Sequence, residues 1–65
     1  MEGARVVPLE EARKLVLEYL KKRQECMTND IIRDLELDRV LVLKVLGELE
    51  KEDEIEVLMG KVITL

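Results

Sequence analysis

Residues 35–55 read LELDRVLVLKVLGELEKEDEI, and this stretch decides the architecture. Asp38 is a strong helix N-cap: its carboxylate accepts from orphan backbone N–H groups and puts negative charge at the positive end of the helix dipole. From there Val42, Leu46 and Leu49 recur at i, i+4 and i+7, with Leu41 and Val45 widening the stripe. One helical face therefore seeks a core, and the spacing predicts a helix over 38–52. After Glu52 and Asp53 the period changes from 3.6 to 2. Glu54-Ile55-Glu56-Val57 alternates and Lys61–Leu65 resumes as a β-branched strand, with Met59-Gly60 between them as a two-residue hairpin turn. Glycine supplies the positive φ such a turn needs, and Met59 is a less favourable partner than Asn or Asp.

Upstream, Glu36–Leu37 makes a tight turn with Leu37 as its buried pin. Before it, Thr28 is read as the cap of a short helix over 29–35, with Ile31 and Leu35 facing inward and Ile32 leaning toward the next helix. Met27 falls in a one- or two-residue bridge strand. The first helix spans 8–24: Pro8 suits the first turn, Glu10 and Glu11 sit at the positive end of the dipole, and Lys21, Lys22 and Arg23 at the negative end. Leu9, Ala12, Val16, Tyr19 and Leu20 form its buried stripe with Leu15 on the flank. Leu17 lies about 100° from the stripe centre, a candidate for contact outside this core. Residues 1–7 (MEGARVV) are a flexible segment or a short strand; residues 8–65 form the domain.

The composition bounds the class. Sixty-five residues make one domain near the lower limit for unaided folding. Apolar residues are 48% and Tyr19 is the sole aromatic, so the core must be aliphatic. One cysteine and no histidine leave no internal disulfide and no zinc constellation, which suits a reducing, intracellular setting. Cys26 reads as a small buried or half-buried thiol. No apolar run approaches the ~20 residues that span a bilayer, so no membrane role is expected. The carboxylates fall on solvated faces, caps and turns, without histidine, a second cysteine or a glycine-rich phosphate loop. No active site and no cofactor are expected. The net charge of −4 disfavours non-specific attraction to nucleic acid, although a local basic face survives within it.

The order helix, bridge, helix, helix, strand, strand resembles the winged helix-turn-helix superfamily. Met27-Thr28 opens its second helix, Ile31, Leu35 and Leu37 take its core positions, and Asp38-Arg39 starts the third helix. Val42, Leu46 and Leu49 line that helix, and Leu49-Glu50-Lys51 leads toward Ile55 and the wing. The resemblance covers the chain from Pro8 onward. It implies an α+β fold: a three-helix winged helix-turn-helix with a C-terminal two-stranded β-hairpin wing. Where the family usually has Gly in the helix-turn-helix turn this chain has Glu36, which suggests a turn without positive φ. Where the family has Gly before the wing this chain has Asp53, which tolerates a left-handed backbone.

The resemblance implies a non-enzymatic module, with duplex DNA as the leading partner and the role that of a small transcription-regulator-like protein. On that reading Arg39 reads bases, while Arg33, Lys44, Lys51 and Lys61 hold phosphates and Val40, Leu43 and Gly47 complete the inserted face. The residues also favour an alternative. The third helix presents Val40, Leu43 and Gly47 outward without Asn, Gln, Ser or Thr, and Asp38, Glu48 and Glu50 repel phosphates. A protein-interaction or dimerisation surface of Leu17, Val40, Leu43 and Gly47, apolar in the centre and charged at the rim, takes these facts directly. A third reading packs Val40 and Leu43 under a loop. A homodimer by strand addition at Val62–Leu65, or by crossing of N-terminal segments, suits either partner.

Overall fold

A computed structural model describes residues 4–65. Among these, three helices and a three-stranded antiparallel sheet follow one another as α1 (Leu9–Arg23), β1 (Glu25–Met27), α2 (Thr28–Leu35), α3 (Arg39–Lys51), β2 (Ile55–Leu58) and β3 (Lys61–Thr64). The fold is α+β. No helix among the described residues is long and apolar enough to cross a membrane.

One core joins all the layers. Ala12, Val16 and Leu20 of α1 meet Ile31 of α2, Leu37 of the turn, the Val42–Val45–Leu46–Leu49 stripe of α3, and Ile55 and Val62 of the sheet. These are the periodic positions of the sequence, and each is essentially removed from water. Leu9, Leu15, Tyr19, Leu35 and Leu41 are half-buried around it. Leu17 belongs to this half-buried shell as well, packed against the core with part of its side chain still accessible. Its angular offset puts it on the flank of α1 that closes against its neighbours.

The sheet departs from the expected two-stranded hairpin. Residues 25–27 form a full three-residue strand, pairing Glu25 with Ile63, Cys26 with Val62 and Met27 with Lys61. Strand order is β1-β3-β2, so β3 is the centre of the sheet and not its edge. The Val62–Leu65 edge expected to recruit a second copy is therefore already occupied on both sides. Cys26 is half-buried in this layer; burial, and secondarily the Asp30 carboxylate, push its thiol pKa up.

Element ends carry the unusual backbone. Asp38 caps α3, its Oδ2 accepting from the Leu41 N–H at 3.2 Å. At the other end Asp53 (φ 61°) ends the helix in a Schellman pattern, with the Glu54 N–H donating to the Leu49 carbonyl. Glu36 overturns the expectation of a turn without positive φ: it sits at φ 55°, ψ 40°, the left-handed cap of α2. Its N–H donates to the Ile32 carbonyl, so the conformation closes α2 and redirects the chain into α3. Thr28 is the first residue of α2 rather than its cap. Its hydroxyl and its N–H both donate to the Gly60 carbonyl, at 2.9 and 2.8 Å, tying α2 to the hairpin turn.

The N-terminal segment crosses the α2–α3 turn. Arg5 forms a parallel bridge with Leu37. Its N–H donates to the Glu36 carbonyl at 2.7 Å, and its own carbonyl accepts from the Asp38 N–H at 2.8 Å. The Arg5 guanidinium donates to the Leu35 carbonyl, an orphan acceptor at the end of α2. This isolated bridge is the one β pairing of the segment among the described residues; the part of the flexible-or-short-strand expectation that concerns residues 1–3 lies outside them.

Side chains brace the helices from outside. Arg13 of α1 spans Glu48 (3.2 Å) and Glu52 (3.0 Å) of α3. The Tyr19 hydroxyl donates to Asp34 Oδ2 at 2.6 Å, with the Arg23 guanidinium 4.7 Å from the Tyr19 ring centroid. Burial and the Asp34 bond push the Tyr19 pKa up to about 12. The same hydrogen bond, from the carboxylate's side, holds Asp34 below its ordinary range.

Candidate interaction face

The outward side of α3 follows from its buried stripe. With Val42, Val45, Leu46 and Leu49 turned inward, the 3.6-residue period turns Val40, Leu43, Gly47 and Lys51 outward, with Arg39 and Lys44 on either flank. Val40 is 71% exposed and Leu43 49%, so neither packs under a loop or under the N-terminal segment. Gly47 has nothing within 4 Å of where a Cβ would stand. Its smallness therefore answers to no neighbour within the fold.

The hairpin turn adds to this side. Met59 and Gly60 both have positive φ (51° and 84°), the pattern of a type I′ turn. Glycine accepts that conformation freely; methionine takes it at a cost of about 1 kcal/mol. The Met59 side chain is nonetheless completely exposed. Together with Met27, Leu43 and Gly60 it lines an open groove of about 370 Å³ between α3 and the turn, whose remaining lining is Thr28, Asn29 and Arg39. Met27 and Met59 line this groove, a placement that periodicity does not reveal. One reads as a bridge and the other as a turn, and only the pairing of Met27 with Lys61 brings them together.

The basic candidates divide. Arg33 is held by Asp30 at 2.7 Å and Asp34 at 3.7 Å, and Lys61 by Glu25 at 3.4 Å. Arg39 donates to the neutral Asn29 Oδ1 at 3.1 Å and has no ion pair among the described residues. Lys44 and Lys51 are exposed and have no ion pair among the described residues. Three cations thus border the apolar strip, and two of the five expected phosphate or base contacts are internally paired. Leu17 is not among the residues lining the groove and packs in the shell around the core. Among the described residues no three His, Cys, Asp or Glu side chains gather as a metal site.

Compared with family models, with curated proteins and with solved structures, the chain has no match in any of the three.

Proposed function

We propose that this chain is a winged helix-turn-helix module, with β2 and β3 as the wing, that docks protein through α3 and the wing turn. One observation carries the reading: Leu43, Met27 and Met59 line a single exposed groove, beside an exposed Val40 and an open Gly47. Exposed apolar groups gathered in one place mark interfaces, whereas scattered ones do not. Methionine is an adaptable contact residue, and cations outside an apolar centre match the rim of an interface. The element order and the α2–α3 turn support the winged-helix class.

Duplex DNA is the second reading, favoured by Arg39, Lys44 and Lys51, which have no ion pair among the described residues and lie on the outward side of α3. The two readings part in one titration. Labelled random-sequence duplex is titrated with protein at about 50 and 200 mM salt, wild type beside Lys44→Ala. Docking predicts no duplex binding at either salt, and an apolar anionic dye whose fluorescence rises on native protein but not on Leu43→Glu. Duplex binding that falls steeply with salt, with a slope reduced by about one in Lys44→Ala, overturns docking in favour of DNA. No dye response from folded wild type also counts against it.

A further inference from the structure

A second groove, along the outward side of α1, has the opposite character. Glu10, Glu11 and Glu18 of α1, with Lys14, surround a floor of Pro8 and Leu15, enclosing about 600 Å³ of open space. α1 and α3 bury their stripes in the same core, so their outward faces point away from each other. One carries Arg39, Lys44 and Lys51, without an ion pair among the described residues, around an apolar strip, with the exposed Glu50 as the carboxylate beside them and Glu48 turned to Arg13. The other carries three carboxylates, offset by one lysine, around Pro8 and Leu15.

We propose that the α3 face of one copy docks into the α1 groove of a second copy, so that the chain associates head to tail. The proposal rests on the docking reading and names its occupant. Leu43 and Met59 meet Pro8 and Leu15, while Arg39, Lys44 and Lys51 face Glu10, Glu11 and Glu18. The arrangement is complementary in charge, whereas α3 against α3 sets like cations together. The contact is heterologous: each copy that docks leaves one face of each kind free, and growth continues unless a ring closes. The chain presents 4462 Å² of surface, so a standard interface of ~800 Å² per partner would take roughly a fifth of it. The two grooves are smaller, which puts this contact in the weak, transient class.

The test is sedimentation velocity at concentrations up to roughly millimolar, where transient contacts of this size populate. Three proteins are compared: wild type, Leu43→Glu, and Glu11→Lys with Glu18→Lys. Leu43, Glu11 and Glu18 are exposed, so both variants should keep the wild-type helical spectrum. Wild type should grow beyond a dimer with concentration, with an association constant weakened on the order of tenfold between 50 and 500 mM salt. Each variant alone should remain monomeric. Mixed, they should form a 1:1 pair and nothing larger, because one supplies an intact groove and the other an intact α3 face. A Glu11→Lys/Glu18→Lys variant that still dimerises overturns the inference and leaves docking in place, through α3 against α3. Monomeric wild type throughout also overturns it, and the dye experiment then decides docking separately. Growth undiminished in Leu43→Glu removes both.

Discussion

Gly47 lies in the middle of α3, the helix that contributes most to the core, and replacing it tests both the fold and the use of that face. In a helix interior glycine is about 0.8–1.0 kcal/mol less favourable than alanine, because its backbone loses more freedom on ordering. The space is open: no atom lies within 4 Å of the position a Cβ would take. Gly47→Ala should therefore realise nearly the whole propensity difference, about 0.8 kcal/mol of added stability without strain. For a domain of this length that is a rise of roughly 3–6 °C in Tm. Urea unfolding followed by helical circular dichroism should show a higher midpoint with an unchanged slope, since the surface exposed on unfolding is nearly the same. A lowered midpoint in dilute protein would refute the reasoning, because it requires something within the fold to occupy the space. A gain in dilute solution that shrinks in concentrated solution fits the inference instead: the methyl then obstructs a second copy where the isolated chain has room for it.

Four further outcomes follow from the geometry. Val40→Glu with Leu43→Glu should leave unfolding within about 0.5 kcal/mol of wild type, since both side chains are exposed; loss of the helical spectrum would return them to the core. Glu36→Gly should stabilise by about 1 kcal/mol by relieving a left-handed residue with a Cβ, as a higher thermal midpoint. Leu49→Ala, fully buried on α3, should destabilise by about 2–5 kcal/mol. That is a large part of the ~3–10 kcal/mol such a chain holds, so calorimetry should find it partly or wholly unfolded. Stability against pH should show two flanks, one from the burial of the Tyr19 phenol together with its bond to Asp34, the other from that bond at the Asp34 carboxylate. Asp34 titrates lower in the folded state, so its contribution is present above the unfolded carboxylate pKa near ~3.9 and is lost as pH falls below it. Tyr19 titrates higher when folded, so its contribution is full below the unfolded pKa near ~10 and is lost as pH rises from there to about 12. Tyr19→Phe should flatten both flanks in urea midpoints measured across pH.

The helices were legible because each is a long, singly periodic segment with charges suited to its dipole, and the core positions follow from the same period. The sheet was only half legible. Its hairpin is local, whereas β1 is three residues whose partner lies more than thirty positions away, and alternation over Glu25–Met27 is too short to announce a strand. Reading β3 as an edge followed from missing that one pairing. Glu36 misled because side-chain identity is a weak guide to φ where a helix must close and turn within two residues. The N–H donated from Glu36 to Ile32 and the Arg5 bridge compensate for the strain there. On the candidate face, exposure of Val40 and Leu43 was readable from helical angle. The pairing of Arg33 and Lys61 was readable only in part: Asp30 and Asp34 lie three residues before and one after Arg33, whereas Glu25 reaches Lys61 only across the sheet.

The position of β3 at the centre of the sheet bears on how the chain comes together in time. β1 and β2 are both made before the strand that each pairs with, and they pair with nothing else in the sheet. On a ribosome the helical layer has every residue it needs by Lys51, while the sheet waits for residues 61–64. Until they emerge, the nascent chain carries two short strands with open hydrogen-bonding edges, the condition in which strands pair with the wrong neighbour. Their brevity, and the glutamates at 25, 54 and 56, keep those edges short and negatively charged through that interval.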